Sequence, residues 1–254
     1  MKILNTPLEM KNFRKTVDKT VGFVPTMGAL HQGHAELLKR AREENSVLGL
    51  SIFVNPTQFN DPKDLTNYPR TWESDLALAE KMKVDFIFAP TFESMYPDNY
   101  RYKVSENQTS LLYCGKDRPG HFDGVLTVVM KLLNCVEPTK TYFGEKDFQQ
   151  LQLVRGMVEA YFMNCEIVPV PTEREKDGLA LSSRNVRLTP DEREIAPLFY
   201  QAIKNASSAA EARSKLESQG FSVDYVEDWG SRRLGAIRLG TVRLIDNVEI
   251  GGKK

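Results

Sequence analysis

This sequence of 254 residues has no excess of charge, with 34 Lys plus Arg against 34 Asp plus Glu. No bulk field draws it to nucleic acid or a membrane surface, so any anion it binds must be held by local geometry. It also lacks a long apolar run: the longest, Val47 to Val54, is far too short to span a bilayer. Met1 to Lys15 is polar and holds no signal-peptide core, which points to the cytoplasm. Cysteine is scarce. Cys114, Cys135 and Cys165 lie far apart with no CxxC pair, so buried or half-buried thiols in a reducing compartment are expected. There is no internal repeat.

What remains is an ordinary globular composition, 41% hydrophobic and 27% charged, long enough for one large α/β domain and a smaller one. Thr6-Pro7-Leu8-Glu9 reads as a capping box opening a short helix. Strands are expected at Val21–Val24, Leu48–Val54, Val84–Ala89, Thr141–Phe143 and Glu166–Val170. Helical patterns lie between them, from about Gly33 (Leu37, Leu38, Ala41), over Ser74–Met82, over Gly124–Val136 and over Phe148–Tyr161. Alternating strands and helices argue for an α/β class with a parallel sheet covered on both faces, a Rossmann-like doubly wound fold. Ligands of such sheets sit at the carboxyl ends of the strands.

The pattern changes after Pro171. Thr189-Pro190-Asp191-Glu192 is a second capping box, leading a stripe of Ile195, Leu198, Phe199, Ala202, Ile203 and Ala206. A shorter helix ends near Gly220, and Phe221–Tyr225 and Ile237–Ile245 read as strands. This defines a smaller α+β C-terminal domain over 173–254, beside a nucleotide-binding domain over 1–172. Gly251 to Lys254 reads as a frayed tail.

The unusual residues fall at strand ends. Two of only three histidines, His31 and His34, stand in Pro25-Thr26-Met27-Gly28-Ala29-Leu30-His31-Gln32-Gly33-His34, between a strand and a helix start. A helix N-terminus with exposed N–H groups favours phosphate, Gly33 permits close approach, and imidazoles can donate to phosphate oxygens as charge develops. The alternatives are a structural histidine pair, or a zinc pair for which no further ligands offer themselves. Gly144-Glu145-Lys146-Asp147 follows another strand: Lys146 can face phosphate oxygens, and Asp147 can accept from ribose hydroxyls or simply hold the lysine. Gln149 and Gln150 suit a polar substrate. Asn55 and Gln58 follow a very apolar strand, where Asn55 either caps the Asn-Pro turn or lines a site. Leu181-Ser182-Ser183-Arg184 offers two hydroxyls and a bidentate guanidinium, or a plain serine-rich turn.

The strand–HxGH–helix arrangement resembles the nucleotidyltransferase superfamily. Pro25–His34, Ser51–Phe59, Asn67-Tyr68-Pro69-Arg70-Thr71, Arg118-Pro119-Gly120-His121-Phe122, Gly144–Leu151 and Asp177–Asn185 together resemble the pantothenate synthetase family, in its order and approximate spacing. The resemblance covers nearly the whole chain. It implies an AMP-forming ligation of pantoate with β-alanine through a pantoyl-adenylate, with ATP and magnesium as a substrate complex and no permanently bound cofactor. It implies that Met27, Gly28, Ala29, Leu30, His31, Gln32, Gly33 and His34 line the ATP site, with both histidines against the phosphates. Gly144, Glu145, Lys146 and Asp147 would hold adenosine and phosphate. Leu181, Ser182, Ser183 and Arg184 would close over the triphosphate, making the C-terminal domain a lid. Gln58 and Gln150 would bind pantoate, with Asn55, Tyr68, Arg118 and His121 as outer members. A homodimer through the larger domain is implied, without nucleic-acid or membrane partners and without a fixed metal site.

Rival readings are another adenylyltransferase on this scaffold, a non-catalytic nucleotide-binding module, and a tRNA-linked synthetase. The first would want cations where Gln58 and Gln150 stand, the second would not require Lys146 with both serines and both histidines, and the third lacks an anticodon-binding domain. Three departures from the family stand out: Asp123 after Phe122, Ser74 before Asp75 where relatives often carry consecutive acids, and a C-terminal unit that reads as shortened between Ala206 and Gly220.

Overall fold

The computed structural model describes residues 1–251, so the expected frayed tail lies outside the described residues beyond Gly251. The chain divides into two compact units, Met1–Glu145 with Gln149–Val170, and Lys146–Phe148 with Pro171–Lys254. The second unit thus starts two residues before the expected 172/173 boundary. It also takes in a three-residue segment separated from it in sequence.

The first unit is built on six parallel strands: β1 (Lys2–Leu4), β2 (Val21–Thr26), β3 (Val47–Ile52), β4 (Phe86–Phe88), β5 (Lys140–Gly144) and β6 (Glu166–Val170), in the order β1-β4-β3-β2-β5-β6. From β2 the chain winds outward through β3 to β4, then returns to place β5 on the other side of β2. That reversal makes the crevice outside the carboxyl ends of β2 and β5 the natural ligand position. Edge strand β1 was not expected, because three residues are too few to show a period.

Helices α1 (Pro7–Arg14), α2 (Gln32–Glu44), α3 (Pro62–Thr66), α4 (Trp72–Lys81), α5 (Phe92–Met95), α6 (Cys114–Asp117), α7 (His121–Val136) and α8 (Phe148–Ala160) complete the crossovers. Neighbouring strand residues point to opposite faces. Val24, Leu48, Leu50 and Ile87 meet Leu37, Leu38 and Ala41 of α2, whereas Phe86 meets Phe13 of α1 at a ring separation of 5.2 Å. Burying each such side chain contributes about 1.5–3 kcal/mol. The first capping box is displaced by one residue: Thr6 Oγ1 accepts from Glu9 N–H, but the Glu9 carboxylate accepts from Asn5 N–H, not Thr6. Cys114 and Cys135 are buried and Cys165 half-buried. No described helix is long and apolar enough to cross a membrane.

The second unit holds α9 (Pro190–Ile195), α10 (Pro197–Asn205), α11 (Ala209–Ser218) and an antiparallel sheet of β7 (Ser222–Trp229), β8 (Arg232–Leu239) and β9 (Val242–Glu249). Thr189 and Glu192 form the expected reciprocal box. The single expected stripe is two helices. Pro197 lacks an N–H and cannot continue α9, so it opens α10 instead. The run Ile237–Ile245 is likewise two strands, because Gly240 turns the chain at φ +51° between them. Phe199, Ile203, Leu216, Ile237 and Leu244 fill this unit's core.

Candidate active site

In the first unit, β2 ends at Thr26, whose hydroxyl donates to the Ser51 carbonyl (2.7 Å) and accepts from Gly28 N–H (3.1 Å). The chain then passes through two left-handed residues, Gly28 at φ +82° and Ala29 at φ +50°. That conformation costs an alanine roughly 1–2 kcal/mol. Asp75 offsets it. Its carboxylate, 1% exposed, accepts from Ala29 N–H (3.0 Å), Leu30 N–H (2.8 Å) and the Thr71 hydroxyl (3.0 Å). A Cβ at Gly28 would stand 3.0 Å from that carboxylate, which is why glycine fits there. Asp75 is therefore engaged by the loop, and Ser74 by the Thr71 carbonyl (2.9 Å). Among the described residues no group of three His, Cys, Asp or Glu is arranged to hold a metal.

His31 and His34 open α2 as a reciprocal cap. His31 Nδ1 accepts from Gly33 N–H (3.1 Å), and His34 Nδ1 accepts from His31 N–H (3.2 Å). The two rings lie 4.1 Å apart. This corrects the expectation of exposed backbone donors: the N–H groups of His31, Gly33, His34 and Ala35 all have partners within the turn. With Nδ1 accepting, each neutral imidazole carries its proton on Nε2. Met27, Leu30 and Gln32 flank the turn, half-buried, half-buried and exposed respectively.

The turn after β3 carries Asn55 and Gln58. Asn55 is 1% exposed, and its Oδ1 accepts from the Tyr96 and Thr57 hydroxyls, both at 3.0 Å. Its Nδ2 donates to Gln58 Oε1 (3.1 Å) and to the Gly124 carbonyl (3.2 Å). Burial pushes the Tyr96 phenol up to about 12, so it stays a proton donor. The Gln58 backbone carbonyl accepts from Arg118 (3.1 Å) and His121 Nδ1 (2.7 Å), and His121 Nε2 in turn accepts from Arg118 (3.1 Å). Gly124 lets α7 press on this turn, since a Cβ there would collide with the Thr57 carbonyl. Tyr68 packs edge-on against Phe59 at 5.7 Å. Sequence reasoning missed Tyr96, and one phenol 41 residues away left no signal to follow.

Of the two glutamines at the head of α8, only Gln150 is partly exposed. Gln149 is 4% exposed and wholly engaged: Oε1 accepts from Cys114 N–H (3.0 Å), and Nε2 donates to the carbonyls of Thr109 and Leu112 (2.8 Å each). It braces the loop before α6. Gly144 ends β5 and Glu145 follows it, both half-buried and both in this unit.

In the second unit, the Lys146 ammonium lies 3.6 Å from the Asp147 carboxylate. Residues 173–181 form a hairpin closed by an Arg174–Ala180 bridge, with Leu181 N–H donating to the Glu173 carbonyl (3.0 Å). Ser182 follows. Its hydroxyl accepts from Arg184 N–H (3.2 Å), and Asn185 N–H donates to its carbonyl (3.0 Å). A hydroxyl that accepts in this way keeps its own proton for donation. Leu181, Ser182, Ser183 and Arg184 are all half-buried.

Residues 2–249 match the family model described as pantoate-beta-alanine ligase. The chain belongs to the pantoate–β-alanine ligase family. As a member it is an enzyme, a ligase. It is 65% identical to the pantothenate synthetase of Bdellovibrio bacteriovorus, over 98% of this chain and 99% of that protein. Among solved structures, the pantothenate synthetase of Thermus thermophilus is 43% identical, with a TM-score of 0.90, 98% of this chain and 99% of that one being covered. The pantoate–β-alanine ligase of Francisella tularensis, solved in complex with β,γ-ATP and β-alanine, is 40% identical, with a TM-score of 0.93 and coverages of 98% and 97%.

One departure has a local account: Asp123 is paired with Lys103 (3.2 Å), so its charge is not left to the loop.

Proposed function

We propose that the chain joins pantoate to β-alanine in two steps that share one bound nucleotide. A pantoate carboxylate oxygen attacks the α-phosphorus of ATP, forming the acyl–phosphate bond as pyrophosphate leaves. The β-alanine amine then attacks the acyl carbon, AMP departs, and the nitrogen loses its proton. No side chain need serve as a covalent nucleophile. Magnesium accompanies ATP as part of the substrate.

What supports this reading most is the reciprocal imidazole cap at the head of α2. It turns two ordinary side chains into two Nε2–H donors of set tautomer, suited to phosphate oxygens whose charge grows in the transition state. Lys146, Ser182, Ser183 and Arg184 are assigned to the triphosphate, and Gly144, Glu145 and Asp147 to the nucleoside end. Gln58 and Gln150 are assigned to pantoate. Amides suit an acceptor whose carboxylate must stay nucleophilic, where a cation would hold its charge back. Asn55, Tyr68, Arg118 and His121 support that pocket. The reading includes a cytoplasmic homodimer, which sedimentation of the purified protein tests.

The decisive experiment is isotope exchange. Labelled pyrophosphate should enter ATP when pantoate and magnesium are present and β-alanine is absent. A single concerted step would give no exchange without β-alanine while overall synthesis ran normally, and that result rejects the adenylate.

A further inference from the structure

The segment Lys146–Phe148 starts two residues after the last residue of β5, yet it folds with the second unit. Two contacts within that unit account for this. Asn247 on β9 donates from Nδ2 to the Lys146 carbonyl (3.0 Å). The Phe148 ring lies edge-on to Trp229 at 5.6 Å, with the Arg232 guanidinium 4.6 Å from its centre.

Asn247 is itself held on every side. It is 3% exposed; its Oδ1 accepts from Arg232 (2.7 Å), its N–H donates to Asp246 (2.8 Å), and its carbonyl accepts from Arg174 (3.3 Å). Arg174 also grips Asp246 through two bonds of 2.6 and 2.9 Å. A guanidinium can only donate, so Arg232 obliges the amide oxygen to face it. The amide nitrogen is thereby turned toward Lys146. A buried network with every member satisfied is rigid, because any rotation strands a polar group out of water.

We propose that Asn247 is a positioning residue for Lys146, and that Arg232 sets the orientation in which it acts. The reason is mechanical. A lysine side chain is long and flexible, and an ammonium that must meet developing charge gains from a fixed backbone origin. The Asn247–Lys146 bond supplies that origin from the sheet of the second unit. The inference rests on the assignment of Lys146 to the ATP phosphates.

The test uses the full-length enzyme and pantoate-dependent pyrophosphate exchange, with Lys146→Met, Asn247→Ala, Arg232→Met and the double variant Lys146→Met/Asn247→Ala. Asn247→Ala should lower the exchange rate about ten- to a hundredfold, with the KM for pantoate unchanged. Arg232→Met, which leaves Asn247 in place but frees its amide to turn, should act in the same direction. In the Lys146→Met background, Asn247→Ala should add no more than about a twofold loss, the mark of two residues acting as one. Equal losses in both backgrounds would mean that Asn247 serves the fold alone and would overturn the proposal. Wild-type rates for Asn247→Ala and Arg232→Met beside a slow Lys146→Met would overturn it too, while leaving the lysine assignment standing. A normal rate for Lys146→Met removes that assignment and the proposal together. Should Asn247→Ala fail to fold, Arg232→Met alone and with Lys146→Met decides by the same comparison.

Discussion

Asn55 Nδ2 donates to Gln58 Oε1 over 3.1 Å, so the orientation of the Gln58 amide is decided by a buried neighbour. Asn55 cannot turn, because its own oxygen accepts from Tyr96 and Thr57. The Gln58 Nε2 donors are thus committed to face away from Asn55. Gln58→Ala should raise the KM for pantoate roughly ten- to a hundredfold, the cost of leaving a buried substrate group unpaired. Tyr96→Phe, which releases Asn55, should shift the same constant in the same direction by less. An effect of either variant on the KM for ATP in place of pantoate would reverse the pocket assignment.

His34→Ala should lower pyrophosphate exchange about a hundred- to a thousandfold, the usual loss for one transition-state donor. It also removes half of the cap on α2, so a loss of about 1 kcal/mol in stability should accompany it. His121→Ala makes the contrast. His121 donates to the Gln58 carbonyl, so its loss should appear in the KM for pantoate. Near-normal exchange by a folded His34→Ala, judged by circular dichroism, would remove His34 from the chemistry.

Asp75→Asn preserves shape but replaces one acceptor oxygen with a donor facing backbone N–H groups. Stability should fall by about 1–3 kcal/mol. The loop that leads to His31 should loosen as well, raising the KM for ATP while the KM for pantoate stays put. Denaturant unfolding and steady-state kinetics on one preparation check both. Wild-type stability with unchanged kinetics would show that the left-handed Ala29 holds itself.

Glu44 gives a pH dependence with a definite sign. Hydrogen bonds from Arg40, then from Lys140 and Tyr142, lower its carboxyl from 4.5 to about 2. A group depressed by folding stabilises the native state above its unfolded value, and that contribution is lost as pH falls through the folded value. The melting temperature of Glu44→Gln should therefore lie below wild type at about pH 6, with the gap closing between pH 4.5 and 2. A gap that widened toward acid would contradict the sign. The effect should be modest and salt-sensitive, because the pair to Arg40 is largely solvated.

The fold was legible wherever a local period carried it. The stripe Leu37, Leu38 and Ala41 and the apolar run at β3 settle where helix and strand must lie, and their alternation settles a parallel sheet. What escaped was short or interrupted: β1 has three residues, and the stripe after Thr189 hides the break at Pro197. Position after a strand end marked His31, His34, Gln58 and Lys146 as candidates, and residue type alone marked the hydroxyl-rich segment at Ser182.

Sequence by itself determined which side chains are available, because chemistry at a strand end is a local property. Tertiary structure alone decided how each is used. Gln149 and Gln150 are adjacent and alike, yet one braces a loop 35 to 40 residues away while the other is partly exposed. Asp75 lies in the helical pattern Ser74–Met82, where nothing local marks it as buried, yet it sits under the left-handed turn it stabilises. Lys146 reads as part of the turn that follows a strand, yet its carbonyl belongs to Asn247, 101 residues on. In each case the deciding partner is distant in the chain. A buried polar group must find a hydrogen bond, and only the folded packing determines which groups are buried together.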